Sequence, residues 1–163
     1  MKIIEKKHFR NRNFMKITPD YVTELKSNEV FVFGSNENGI HGAGAAKLAH
    51  DKFGAVAGQG FGLSGRTFAI PTKDWHIQTL PLETISFYVH RFFDFVNKYK
   101  KLDFLVTEIG CGLAGFEPKD IAPLFRVFIK CNNIYLPKRF WDVLNKPEKK
   151  QCGIYTFTDK CGR

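Results

Sequence analysis

Three features that would point to particular classes of protein are missing from this sequence of 163 residues. Its four cysteines show no Cys-x-x-Cys spacing, and zinc ligands usually come in close pairs, so no metal site is expected. No apolar run approaches the roughly 18–20 residues that span a bilayer, which argues against a membrane partner. The opening residues, MKIIEKKHFRNRNFMK, lack the apolar centre and cleavage site of a secretory signal. We therefore expect a cytoplasmic protein that needs no metal or cofactor.

The body of the chain also lacks an excess of positive charge, although the net charge is +9. Residues 1–16 hold six basic residues and one acidic residue, residues 146–163 hold five and two, and residues 17–145 hold fourteen and thirteen. We therefore expect a basic N-terminal arm at 1–16, one monomeric domain at 17–145, and a basic tail or edge strand at 146–163. A nucleic-acid-binding accessory protein that acts through these basic ends stays an alternative.

Apolar periodicity predicts an alternation of strands and helices along the domain. Compact apolar runs predict strands at 29–33, 66–72, 103–110 and 133–137, with a further edge strand at 153–158. Helical spacing or helix-start signals predict helices at 17–26, 44–54, 82–101, 118–130 and 139–144, the first of them with Thr18 as its N-cap. This order predicts an α/β sandwich with a mostly parallel sheet.

Two glycine-rich segments, 34–44 and 110–115, directly follow predicted strands and lead toward predicted helices. Loops at the carboxyl ends of parallel strands share one rim of the sheet, where ligands bind. Free backbone N–H groups at a helix start favour an anion there. Because there are two such loops, they could cradle the two phosphates of a diphosphate between them. Neither loop contains the Gly-Lys-Ser/Thr of a Walker A motif.

Several polar side chains near these loops allow two interpretations each. Asn36 and Asn38 could hydrogen-bond a ribose or cap their own turn. His41 could be a general acid–base or a solvent-facing residue of the turn. Lys73 and Asp74 follow the predicted strand at 66–72, so their side chains should reach the same rim of the sheet. They could be a functional pair or a surface ion pair.

Two further residues belong to the second glycine loop. Cys111 lies beside the predicted anion site, so we expect its pKa to be lowered. No base is identified beside it, which makes a nucleophilic role the minor alternative. Phe116 follows the loop and could either stack on a nucleobase or cover the core.

Four stretches together, VFVFGSN, HGAGAAKLAHDKFG, FAIPTKD and FLVTEIGCGLAGFEPKDIAPLF, resemble the macrodomain superfamily, which binds ADP-ribose. The likeness is greatest to bacterial and phage macrodomain-like proteins and to the terminal ADP-ribose protein glycohydrolases, and it runs from about residue 29 to 136. It implies a three-layer α/β/α sandwich with a central mixed sheet and an ADP-ribose cleft at the rim.

The resemblance also implies the residues that contact the ligand. The first loop would supply Gly42, Ala43 and Gly44 to the diphosphate and the near ribose, and Asn36 would lie beside the distal ribose. The second loop would supply the other phosphate contacts, with Phe116 near the adenine or the distal ribose; its residues are Gly110, Cys111, Gly112, Leu113, Ala114, Gly115 and Phe116.

The catalytic implication is less complete. Lys73 matches the lysine with which the glycohydrolase branch attacks the anomeric carbon of the ribose. That branch has an aspartate where this chain has Ala114, and Asp74 and His41 are the candidates to replace it. The chain could therefore hydrolyse ADP-ribosyl linkages on a protein or a nucleic acid. Alternatively, it could be a non-catalytic reader or sequestering protein for an ADP-ribose-derived nucleotide.

Overall fold

The computed structural model of the protein describes residues 15–147. Within them, strands and helices alternate in this order: β1 (Glu29–Asn36), α1 (Gly44–Phe53), β2 (Gly62–Ser64), β3 (Thr67–Lys73), α2 (Leu82–Lys98), β4 (Asp103–Val106), α3 (Pro118–Ile121), a 3₁₀ helix (Ala122–Phe128), β5 (Ile134–Tyr135) and α4 (Lys138–Leu144). Most of the predicted basic arm, nearly all of the predicted tail and the predicted edge strand at 153–158 lie outside the described residues.

The five strands form one mixed sheet in the order β2-β3-β1-β4-β5. The pairs β3–β1, β1–β4 and β4–β5 are parallel, and only the short β2 runs antiparallel, to β3. Sequence positions 31 to 36 of β1 pair with positions 67 to 73 of β3. The predicted α/β fold with a mostly parallel sheet is confirmed, and β1 lies at its centre.

Alternation along β1 divides the core into two halves. Val30 and Val32 point to one face of the sheet, where α2, α3, the 3₁₀ helix and α4 cover it. Phe31 and Phe33 point to the other face, where α1 covers it. Side chains of successive strand residues point to opposite faces. Because both faces carry large apolar residues, both must be covered, and the result is a three-layer sandwich.

The longest helix, α2, packs on the sheet as its apolar stripe predicts. Its buried residues are Ile85, Val89, Phe92 and Val96. The helix ends at Lys98, three residues earlier than predicted, where the buried Asn133 side chain donates hydrogen bonds to the carbonyls of Val96, Tyr99 and Leu102. None of the helices between residues 15 and 147 is both long and apolar enough to cross a membrane.

The prediction of a helix at 17–26 is wrong, because this segment is irregular. Its start is held at the sheet instead, because the Thr18 N–H donates to the carbonyl of Leu136 and the Leu136 N–H donates to that of Lys16. The hydroxyl of Thr18 caps nothing within the described residues. Pro19 disfavours a helical conformation at the residue before it. The segment still contributes Val22 to the core on the α1 face.

The helix predicted at 118–130 is present as two shorter pieces. It begins at Pro118 as expected, where Glu117 and Asp120 form a capping box. After one turn it tightens into the 3₁₀ helix, which contains Pro123 near its start. Proline lacks the N–H that continues an α-helix, which explains the change.

We predict that Phe92→Ala lowers the free energy of unfolding by about 3–5 kcal/mol, because it empties a fully buried position where α2 meets β3 and β4. Urea unfolding measures this loss. Phe87→Ala is the matched control on the same helix: its side chain is exposed, so we expect a change of about 1 kcal/mol or less. Equal losses in the two variants would contradict the packing described for α2.

Candidate functional site

A cleft of about 380 Å³ opens at the carboxyl ends of the three central strands. Parallel pairing brings the ends of β3, β1 and β4 to this edge, so the loops that leave them enclose it. The residues that line the cleft are 34–36, 40, 42–46, 72, 73, 77, 107–110 and 112–114. The volume falls in the range of about 300–1,000 Å³ that is usual for sites of small ligands.

One wall of the cleft is the N-terminus of α1, which the chain leaves without a cap. The N-cap position is Ala43, which has extended backbone and no side chain that could accept a hydrogen bond. The first turn holds no acidic residue, and Gly44, Ala45 and Ala46 line the cleft. The first N–H groups of a helix have no partner within it, and its dipole favours negative charge there. This wall therefore suits an anionic group.

Gly42 and Gly112 differ from the other glycines of the two loops. Neither has a positive φ that a side chain would resist, and a Cβ atom at either position would meet nothing within 4 Å. By contrast, Gly110 has φ +76°, and a Cβ there would lie 3.0 Å from Cδ1 of Ile121. The fold therefore requires glycine at 110 but not at 42 or 112, where the missing side chains keep the backbone open toward the cleft.

The amide of Asn36 holds the first loop in place. Its Nδ2 donates to the carbonyl of Ile40 at 2.8 Å, and its Oδ1 accepts the N–H of Ile40 at 2.9 Å. Of the two interpretations from the sequence, the structure shows the turn cap. Asn38 likewise donates to the carbonyl of Trp75, which ties the first loop to the segment after β3. Asn36 lines the cleft, whereas Asn38 does not.

The segment after β3 is a tight hairpin that Asp74 organises. The carboxylate of Asp74 accepts the N–H groups of His76 at 2.8 Å and of Gln78 at 2.9 Å. The hydroxyl of Thr79 donates to the carbonyl of Ala114 at 3.0 Å, which joins this hairpin to the second glycine loop. Asp74 therefore acts on the turn, and it is not among the residues that line the cleft.

Lys73 and Glu108 are the ionisable residues that line the cleft. The Lys73 carbonyl accepts the N–H of Glu37 at 2.9 Å, which fixes its backbone, and its Nζ has no hydrogen-bond or ion-pair partner among residues 15–147. Glu108 pairs with Arg139 of α4 at 2.8 Å. The carboxylate is thereby partly neutralised, which leaves the Lys73 ammonium as the free charge at this cleft within the described residues.

His41 is turned away from the cleft. Its Nε2 lies 3.1 Å from the carbonyl oxygen of Val56, and its ring packs edge-on against Phe33 with centroids 5.3 Å apart. Burial lowers the pKa of the imidazole, while the hydrogen bond to Val56 opposes this shift. The ring therefore serves to attach the loop to the segment at 55–59, and it is not placed beside Lys73 as an acid–base partner.

Two residues of the second glycine loop face the core. Burial, and then the negative charge of Glu108, raise the pKa of the Cys111 thiol to about 11. The prediction of a lowered pKa is therefore wrong: desolvation outweighs any effect of the loop's N–H groups. Phe116 packs against the core cluster on the α2 face. Neither residue, nor Gly115, lines the cleft, whereas Gly110, Gly112, Leu113 and Ala114 do.

Sequence reasoning missed several lining residues, of which Ile40, Ile77 and Glu108 are the most informative. Glu108 carried a usable signal, because it lies between β4 and the glycine loop. Ile40 and Ile77 carried none, since an isolated isoleucine in a loop suggests no chemistry. Between residues 15 and 147 no group of three or more His, Cys, Asp or Glu side chains could hold a metal ion.

Comparisons of this chain with models of protein families, with curated proteins and with solved structures each returned no match. The fold and the cleft define the class of this protein: it is an α/β protein with a mostly parallel sheet and a backbone-lined cavity at the carboxyl edge of that sheet. The macrodomain likeness rests on the sequence motifs alone.

We predict that Gly42→Ala and Gly112→Ala change the free energy of unfolding by about 0.5 kcal/mol or less, because open space surrounds both positions. Gly110→Ala should lose about 1–2 kcal/mol or more, since its backbone is left-handed and Ile121 is close. Chemical unfolding of the three variants tests this division. A large loss in Gly42→Ala or Gly112→Ala would show that the fold itself demands those glycines.

Proposed function

We propose that the protein binds an ADP-ribose-type nucleotide, with its diphosphate held between the loop at 42–44 and the loop at 110–114. The observation that carries this proposal is the pairing of an uncapped α1 N-terminus with two glycines, Gly42 and Gly112, that the fold does not require. Both features expose backbone at one cavity. Backbone N–H groups at a helix start are the usual partners of phosphate oxygens.

A diphosphate suits this cleft better than a single anion does. Exposed backbone lines two sides of the cavity, one formed by the loop after β1 and the other by the loop after β4. One phosphate would need only one of these sides. The Lys73 ammonium on the β3 side supplies a further positive charge, while Arg139 offsets the carboxylate of Glu108. The motifs that resemble macrodomains agree with this choice of ligand.

The geometry supports binding more strongly than hydrolysis. Asp74 is engaged with the N–H groups of its own turn, and His41 is directed toward Val56. Position 114, where the glycohydrolase branch has its aspartate, is an alanine. Neither of the two candidates from the sequence, Asp74 and His41, is therefore available as a proton-transfer partner for Lys73. Lys73 lines the cleft and its ammonium has no partner among residues 15–147, and this is the specific observation that keeps hydrolysis of ADP-ribosyl linkages as a second candidate.

The loops around the cleft do not suit a nucleic-acid backbone. They carry four carboxylates, Glu37, Asp74, Glu108 and Glu117. Arg139 pairs with Glu108 and Lys119 pairs with Glu117, so with Lys73 the nearby cations do not exceed the carboxylates in number. A phosphate-rich polymer needs a basic surface. The basic segments that suggested a nucleic-acid-binding accessory protein lie almost entirely outside the described residues, so that alternative stays a prediction from the sequence.

We expect calorimetric titration with ADP-ribose, beside ADP and NAD, to give a Kd in the micromolar range or tighter, about −8 kcal/mol or better. Gly112→Glu should weaken this binding at least tenfold, because it places a carboxylate in the cleft at a position where the fold tolerates a side chain. Ser27→Glu adds the same charge at an exposed turn before β1, at the opposite edge of the sheet, and should leave Kd unchanged. The proposal fails if none of the three ligands binds, or if the two variants weaken binding equally.

Lys73→Arg separates binding from hydrolysis. The substitution keeps the positive charge but removes the amine nucleophile, so ADP-ribose affinity should change less than about fivefold while any release of ADP-ribose from a modified protein stops. Chromatography of released ADP-ribose measures the turnover. Release that persists in Lys73→Arg would exclude a lysine nucleophile, and no release by the unmodified chain would leave binding as the function.

A further inference from the structure

Three large aliphatic side chains are exposed at the mouth of the same cleft. Ile40, Ile77 and Leu113 are 56%, 40% and 75% exposed, and all three line the cavity. They come from the three different loops that follow β1, β3 and β4. Because all three line one cavity, a ligand in the cleft would cover them together, and ligand pockets are lined mostly by apolar side chains.

Ile77 is held there in a strained conformation. Its φ is +63°, and it is the one residue other than glycine with a positive φ between residues 15 and 147. A β-branched side chain in this region is a genuine outlier, because its Cβ lies too close to the following carbonyl. Such strain persists only where the surroundings enforce it, and it collects at binding sites.

The hydrogen bonds of the hairpin supply that enforcement. Asp74 accepts the N–H groups on both sides of Ile77, from His76 and Gln78, and the Ile77 N–H donates to the Asp74 carbonyl at 3.0 Å. The Asp74 N–H in turn donates to the carbonyl of Gln78 at 2.8 Å. These hydrogen bonds hold the turn in one conformation, and the residue at its left-handed position is Ile77, whose β-branched side chain fits that conformation poorly. Glycine or asparagine would fit it without strain.

Resting on the proposed function, we propose that Ile77 is a specificity-determining residue that contacts the flat face of a heteroaromatic ring carried by the bound nucleotide. Leu113 and Ile40 complete the apolar mouth around that ring. Aliphatic side chains offer no hydrogen bonds, so they would desolvate sugar hydroxyls or phosphates without replacing their partners. The face of a heteroaromatic ring has no such hydrogen bonds to lose.

The test compares a ligand that carries a ring with one that does not. ADP-ribose and inorganic pyrophosphate are each titrated against the unmodified chain and against Ile77→Ala, Ile77→Gly and Ile77→Val. We expect Ile77→Ala and Ile77→Gly to bind ADP-ribose about tenfold more weakly, the size expected for losing one buried aliphatic contact. Pyrophosphate affinity should change less than twofold in both. Ile77→Val keeps a β-branched side chain and should retain ADP-ribose affinity within about threefold.

Thermal unfolding of the same variants checks the strain. Ile77→Gly should melt about 2–4 °C above Ile77→Ala, because glycine adopts φ +63° without a Cβ clash whereas alanine keeps the strain.

Trp75→Ala is the control for the titrations, on the same hairpin. Trp75 is 62% exposed but does not line the cleft, so the affinities for ADP-ribose and pyrophosphate should both be unchanged.

Each result has one meaning. A selective loss of ADP-ribose binding in the alanine and glycine variants supports the ring contact. Parallel losses of ADP-ribose and pyrophosphate would show that Ile77 only holds the loop, and unchanged ADP-ribose binding in all variants would overturn the ring contact while leaving the proposed function intact. If the unmodified chain binds neither probe, the proposed function fails and the ring contact fails with it.

Discussion

The cleft depends on one constraint, the parallel pairing of β1 with a neighbour on each side. β3 and β4 both run in the direction of β1, so the three carboxyl ends meet at one edge and their loops must share it. This arrangement is stable because β1 is apolar on both faces, with Val30 and Val32 under α2 and Phe31 and Phe33 under α1. The burial that holds the sheet together therefore also assembles the cleft.

Polar side chains at this edge are used mainly to hold the loops. Asn36 fixes the turn at Ile40, Asp74 fixes the hairpin around Ile77, and Thr79 joins that hairpin to Ala114. The cavity is lined by backbone of the two glycine loops, by the exposed side chains of Ile40, Ile77 and Leu113, and by Lys73 and Glu108. Polar side chains thus hold these loops in place, while backbone of both glycine loops lines the cavity. A rigid site loses little conformational entropy when a ligand binds.

Most of the fold could be predicted from the sequence, because its elements are strongly periodic. The four strong strands and the helices at 44–54, 82–101 and 139–144 are present, with ends that differ by a few residues. The helix at 17–26 failed because backbone pairing with Leu136 is a long-range contact that no local pattern reveals. The glycine loops could be located, since strand ends and glycines are both local signals. The directions of the His41 and Cys111 side chains could not be predicted. Packing against Phe33 decides the first, and burial against the core decides the second.

The composition of the cleft restricts which anions suit it. Positive potential here comes from the N–H groups and dipole of α1, whose effect falls off within about the first turn, together with the charge of Lys73. Under the proposed function, a compact diphosphate would need only these few donors, whereas a nucleic acid would need a wider basic surface. Arginine-rich sites attract polyanions over a long range, and this one lacks such residues on its walls. Under the proposed function, the geometry of the backbone rather than net charge would therefore select the ligand.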